Sequence, residues 1–178
     1  MTINSKQKGS DFERKVAKLL QKWSGYEFHR TPGSGSLHWE NDKRVVSDIV
    51  PSTELKNWKF SIECKKVEKS QWEFSNLLDG TSMVLKSHWK QCCDDAKSEG
   101  LLPMLIFSKN RRSIFVMLPY QVFKCLPNKD CRFLQLHLLD ENLIIADFYE
   151  FLERFSIFDI LNTNFENFYK NFYKVVDI

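Results

Sequence analysis

The stretch Phe60-Ser61-Ile62-Glu63-Cys64-Lys65-Lys66-Val67 decides how this chain is read. As an extended strand it sends Glu63 and Lys65 to one face and Ile62 and Cys64 to the other. Upstream, Val45-Val46-Ser47-Asp48-Ile49-Val50 sets a carboxylate among apolar residues and predicts a second strand. A buried carboxylate without a partner is costly. Asp48 therefore caps a turn, pairs with a nearby lysine, or shares a site with Glu63. If the two strands pair, two carboxylates and an ammonium converge. Such a set can hold a divalent metal and activate a water, the equipment for phosphodiester hydrolysis. Glu-x-Lys alone recurs on solvated strands and carries little; Asp48 gives it weight.

Outward from this core, Phe12, Val16, Leu19, Leu20 and Trp23 keep helical spacing and predict a helix over 10–23, with Ser10 as N-cap and Gly25 as stop. Glu13 has two readings there. It either completes an S-x-x-E capping box with Ser10 or joins the acidic site. Tyr26–Arg30 reads as a strand, and Thr31-Pro32-Gly33-Ser34-Gly35-Ser36 as a loop extended by polar residues through Arg44. This loop lacks the Gly-Lys-Ser/Thr of a Walker motif. Trp89, Cys92, Cys93 and Ala96, closed by Gly100, predict a second helix, on which Gln91 either faces the site or is solvated. Leu101–Phe107 and Ser113–Leu118 predict a strand pair around a turn at Asn110-Arg111-Arg112. Phe148, Phe151, Leu152 and Phe155, then Phe165, Phe168, Tyr169, Phe172, Tyr173 and Val176, form helical stripes suited to core packing, with a dimer interface as the other reading.

Length and composition set the bounds. The chain has 178 residues, 43% hydrophobic with 15 Phe, enough for one domain with its own core. The net charge of +3 permits nucleic-acid binding without demanding it. Basic residues cluster in 1–30 and 56–69, on both flanks of the acid–base strand. Five cysteines, an odd number without a C-x-x-C repeat, read as reduced thiols. His29, His38, His88 and His137 show no metal-binding spacing. The polar N-terminus and the absence of a long apolar run lead us to expect an intracellular, cytoplasmic protein, in the host cytoplasm if phage-encoded.

Lys8-Gly9-Ser10-Asp11-Phe12-Glu13-Arg14, Arg30-Thr31-Pro32-Gly33-Ser34-Gly35-Ser36, Ser47-Asp48-Ile49-Val50 and Ile62-Glu63-Cys64-Lys65 together resemble the PD-(D/E)XK nuclease superfamily. Within it the order is most similar to Holliday-junction resolvases of archaeal and phage type, over roughly residues 6–120. The resemblance implies an α/β, restriction-endonuclease-like core with a central mixed β-sheet flanked by helices. Residues 1–120 would be that core, and 121–178 a helical C-terminal extension packed on it or at a dimer interface. It implies a metal-dependent DNA endonuclease acting on branched DNA. The alternatives are a restriction-like or repair nuclease or exonuclease, and a non-catalytic DNA-binding protein on the same scaffold. Asp48, Glu63, the Cys64 carbonyl and Glu13 would bind Mg²⁺, with Mn²⁺ as a substitute. Lys65 would orient or deprotonate the attacking water. Lys8, Arg14, Arg30, Ser34, Ser36 and Lys66 would contact DNA, and the protein would be a homodimer. The loop between Ser36 and Asp48 is longer than the family pattern, and residues after 120 have no counterpart in it.

Overall fold

The computed structural model describes residues 5–31, 46–67, 82–109, 112–127 and 130–172. Seven strands form one sheet in the order β1-β2-β3-β4-β5-β7-β6. They are β1 (Phe28–Arg30), β2 (Ile49–Pro51), β3 (Phe60–Val67), β4 (Leu102–Lys109), β5 (Ile114–Pro119), β6 (Phe133–Leu138) and β7 (Glu141–Asp147). Only β3 and β4 pair in parallel; every other described pair is antiparallel. The helices are α1 (Ser5–Ser24), α2 (Met83–Glu99), α3 (Tyr120–Cys125), α4 (Phe148–Arg154), α5 (Ile157–Asn162) and α6 (Glu166–Phe172). The expected mixed sheet flanked by helices is present.

Alternation along the strands builds two cores. One face presents Ile62, Cys64, Met104, Ile106, Val116, Ile144 and Ala146 to Phe12, Val16 and Leu20 of α1 and to Phe148, Phe151, Ile157 and Phe165 of the C-terminal helices. The other presents Val67, Leu105, Phe107, Met117, Leu143, Ile145 and Leu136 to Leu85, Trp89 and Cys92 of α2. β3 to β5 are covered on both faces, which is why β4 reads as an unbroken apolar run. Phe148, Phe151, Phe155 and Phe165 of the C-terminal stripes are core: Phe60 meets Phe165 edge-on at 5.9 Å, and the Tyr169 hydroxyl donates to the Lys59 carbonyl at 3.4 Å. Tyr173 and Val176 lie outside the described residues.

Local signals set the ends of α2. The Ser82 hydroxyl accepts from the Leu85 N–H at 3.4 Å, and Gly100 takes the left-handed conformation, φ 68°, that closes the helix. Two expectations need correction. First, α1 begins at Ser5, so Ser10 lies inside the helix and is not its cap. Second, the extension after residue 120 is not helical throughout. After α3 it forms the β6–β7 hairpin, which widens the sheet before the helices begin at Phe148. The turn at Asn110-Arg111 falls outside the described residues. All five cysteines are free thiols, and no described helix is long and apolar enough to cross a membrane.

Candidate active site

The antiparallel ladder between β2 and β3 gives out just where Asp48 stands. Ile49 pairs with Ile62, and the Asp48 N–H donates to the Ile62 carbonyl at 2.9 Å. One step further the Asp48 side chain replaces the ladder, its Oδ2 accepting the Cys64 N–H at 2.9 Å. Asp48 thus occupies the bend entering β2, held from the other side by the Thr31 N–H on its carbonyl at 2.9 Å. It is buried at 5% exposure, and Glu63 at 3%. Strand alternation puts Glu63 and Lys65 on the α2 face, in register with Leu105 and Phe107, and the two side chains form an ion pair.

The electrostatics follow from that burial. Loss of water, then the neighbouring Asp48 charge, push the Glu63 carboxyl up to about 8; Lys65 offsets only part of this. Burial pushes the Lys65 ammonium down, but the charges of Glu63 and Asp48 outweigh it and the net shift is upward. In this metal-free arrangement Lys65 is the cation paired with Glu63 beside Asp48. The Cys64 thiol, buried and surrounded by Asp48, Glu63 and Glu13, is held far from ionising. Its backbone is what matters to the site.

The capping-box reading of Glu13 falls with the early start of α1. Its carboxylate instead accepts from the Arg30 guanidinium on β1 in a mostly buried ion pair. Asp48, Glu63 and Lys65 are brought together; Glu13 comes near enough to act on Cys64 but is engaged by Arg30. Of the expected DNA contacts, Arg14 bonds Asp11 at 2.7 Å. Lys66 lies 5.4 Å over the Phe12 ring and donates to Ser108 at 3.3 Å. Lys8 is half-buried on α1. Ser34 and Ser36 fall outside the described residues.

A second carboxylate layer comes from α2. Glu99 accepts from the backbone N–H groups of Val46 at 2.9 Å and Ser47 at 3.2 Å and from the Ser47 hydroxyl at 2.7 Å, pinning the chain that delivers Asp48. The Ser47 and Ser61 hydroxyls, 2.7 Å apart, tie that segment to β3. Asp95, one turn before Glu99, is pushed up by burial and by Glu99 and Asp48, and it bonds Gln91. His88 is held down by burial and by Lys65, and its Nδ1 is buried with no partner among the described residues. His88, Gln91, Asp95 and Glu99 share one stripe of α2 beside the apolar Leu85-Trp89-Cys92-Ala96 stripe. Sequence reasoning singled out only Gln91; the i, i+3, i+7, i+11 spacing was the available signal.

A divalent cation fits the donors. Two buried carboxylates share one lysine as counter-charge, and an added cation would offset both causes that push Glu63 up. Among the described residues no three His, Cys, Asp or Glu side chains gather closely enough to cage a metal unaided. The fit is to a hard ion that keeps several waters, as Mg²⁺ does.

The chain is similar to several known proteins. The profile of the family described as "Phage putative PDDEXK endonuclease" matches residues 4–176. Protein D14 of Escherichia phage T5 is 25% identical over 166 residues, covering 90% of this chain and 99% of that protein. Among solved structures, Hjc of Archaeoglobus fulgidus, a Holliday junction resolvase from an archaeal hyperthermophile, aligns with 89% of this chain and 99% of its own, at 16% identity and a TM-score of 0.39.

Proposed function

The chain belongs to the phage PDDEXK endonuclease family, and we propose that it is a Mg²⁺-dependent DNA endonuclease that hydrolyses phosphodiesters in branched DNA, four-way junctions foremost. The observation that carries this reading is the buried convergence of Asp48, Glu63 and Lys65 at the point where the β2–β3 ladder ends. Asp48, Glu63 and the Cys64 carbonyl would hold the ion, with Glu13 joining through a water if Arg30 releases it. The ion supplies charge that stabilises the phosphoryl oxygens and acidifies a water.

The chain's own residues do the positioning. Asp48 is fixed by the Cys64 and Ile62 backbone and by the Glu99 clamp on Ser47, so its carboxylate is oriented before substrate arrives. Lys65, paired with Glu63, would orient or deprotonate the attacking water. Arg14, Lys15, Lys18 and Lys22 gather on one open side of α1, with Asp11 among them, and would meet a DNA backbone in a sequence-independent contact that salt weakens. A homodimer would present two such sites to symmetric strands.

The test is cleavage of a synthetic four-way junction beside duplex, flap and single-stranded controls, with Mg²⁺ or Mn²⁺. Symmetric nicks confined to the junction are expected. Equal cutting of plain duplex would replace the junction reading with a restriction-like or repair nuclease. Inertness on every substrate with both metals would leave a DNA-binding protein on a nuclease scaffold.

A further inference from the structure

One hydrogen-bonded point fixes how α2 lies along β3. The Ser47 hydroxyl meets Glu99 of α2 and Ser61 of β3, each at 2.7 Å. β3 and β4 are parallel, so the helix that joins them runs back against β3. From the shared point α2 recedes at about 1.5 Å per residue, while β3 advances at about 3.3 Å. Asp95, one turn before Glu99, therefore stands about 6 Å along, level with Glu63. His88, three turns before Glu99, stands about 17 Å along, level with the Lys65–Lys66 end of β3. The charges agree with this placement: Asp95 acts on Glu63, and Lys65 acts on His88. The clamp on Val46 and Ser47 turns the same flank of α2 toward the Asp48 segment. His88 and Asp95 are half-buried there, and Gln91 between them already bonds Asp95. His88 is the member of the stripe that no carboxylate or backbone contact explains.

We propose that His88 is a substrate-contacting residue of the cleavage reaction, its Nε2–H donating to a non-bridging oxygen of the DNA phosphate that enters beside Lys65. The inference deepens the endonuclease reading and rests on it. The ring itself assigns the donor. Nδ1 is buried with no partner among the described residues. An orphaned buried N–H is rarer in folded proteins than a bare acceptor, so the proton of the neutral ring belongs on Nε2. Burial and the Lys65 charge both favour that neutral form. Neutrality suits the place. A third cation beside Lys65 and Lys66 would be repelled by both, whereas a neutral N–H adds a bond without adding charge. It also adds direction. The Lys65 ammonium is a point charge on a flexible stem, but an imidazole N–H points one way once its two side-chain torsions are set. His88 would therefore orient the phosphate that Lys65 attracts.

Two amide substitutions separate the two nitrogens: a glutamine amide reaches the place of Nε2, an asparagine amide that of Nδ1. In single-turnover cleavage of a four-way junction, His88→Ala and His88→Asn should each lose on the order of 10²-fold, and His88→Gln should recover most of it. Far-ultraviolet circular dichroism checks that all three fold. Wild-type cleavage with His88→Ala unchanged overturns the inference and leaves the endonuclease reading standing. Equal losses in the Gln and Asn variants reduce His88 to packing and overturn it too. A second measurement needs neither metal nor cleavage. Long-range proton–nitrogen spectra of the wild-type imidazoles in EDTA, with His88 assigned through its loss in His88→Gln, should read an Nε2–H ring whose proton moves downfield as a short-armed junction saturates the chain. An Nδ1–H ring, signals that stay in place at saturation, or no binding of the junction overturns the inference, whether or not the chain cuts DNA. Movement in a chain that cuts nothing would keep His88 as a phosphate contact and overturn the endonuclease reading alone.

Discussion

The two ends of the sheet do opposite work. At the β1–β3 end β1 and β2 are short, the β2–β3 ladder stops early, and the interior holds Asp48 and Glu63 beside Lys65. At the β5–β7–β6 end the ladders are longer, the interior is apolar, and the described side chains carry no comparable buried charge cluster. The first end spends stability on a preorganised charge cluster; the second, with the two cores it shares, offsets that cost. The buried charges gather where the regular hydrogen bonding of the sheet fails and a side chain takes over from the backbone.

The sharpest way to break this contrast is to remove the carboxylates. Asp48→Asn and Glu63→Gln should each lower the metal-dependent cleavage rate by on the order of 10³-fold, since each removes a fixed charge from a water-excluded site. Cleavage of a junction substrate under single-turnover conditions reads this. The metal-free thermal midpoint of Glu63→Gln near pH 8 should hold or rise, because a buried charge is gone.

At the other end the expectation reverses. Leu143→Ala, fully buried in the α2-side core, should cost about 2–5 kcal/mol of stability by urea denaturation and leave the rate per folded molecule near wild type. A large rate loss without instability would sink the division of labour.

Acid and base separate the ends too. Glu63 in the folded chain binds a proton up to about pH 8, while unfolded it releases one near its ordinary 4.5. The folded state therefore holds more protons between these values, and metal-free stability should fall as pH rises from about 5 to 8. The drop assignable to Glu63 is at most roughly 5 kcal/mol. Equilibrium unfolding of wild type against Glu63→Gln across that window isolates it, and parallel curves would contradict it. Because an ion and the proton compete for the same carboxylate, metal affinity by calorimetry should increase over the same range.

A smaller effect is expected at the Glu99 clamp. Glu99→Gln weakens the charged acceptor that holds Val46 and Ser47 and should cost about 1–2 kcal/mol. It should also lower cleavage while leaving DNA affinity, read by fluorescence anisotropy, unchanged. The least effect belongs to Arg132→Ala, whose pair with Glu150 is on the surface and should leave the monomer's thermal midpoint unmoved.

Much of the Asp48–Glu63 end was legible in the sequence because its signals are local. Alternation placed Glu63 and Lys65 on one face, the apolar neighbours of Asp48 implied burial, and Gly100 marked the end of α2. The helix start was misread because Ser10-Asp11-Phe12-Glu13 satisfies a capping pattern inside a continuing helix. Only the Arg30 contact, seventeen residues away, shows where the Glu13 carboxylate goes. The β6–β7 hairpin was missed for a different reason. Its turn, Leu139-Asp140, takes positive φ of 51° and 61° without the Asn or Gly that usually announces such a turn. The α2 carboxylates Asp95 and Glu99 were hidden because their role depends on which side of the helix meets the sheet.

The one parallel pair among the described strands, β3 with β4, also orders events in time. The hairpin carrying Asp48 and Glu63 is local in sequence, but β4 reaches β3 only after residues 68–101 have looped across and α2 has docked. Parallel pairing of this kind rewards the chain late, once loop closure is complete. Glu63 therefore keeps its water until nearly the last step of folding, and that step must strip it away. Refolding followed by stopped-flow fluorescence of the buried Trp89 should slow as pH climbs from about 5 to 8, where the arriving carboxylate is already charged and the folded site favours its protonated form. A divalent ion present during refolding should restore the rate.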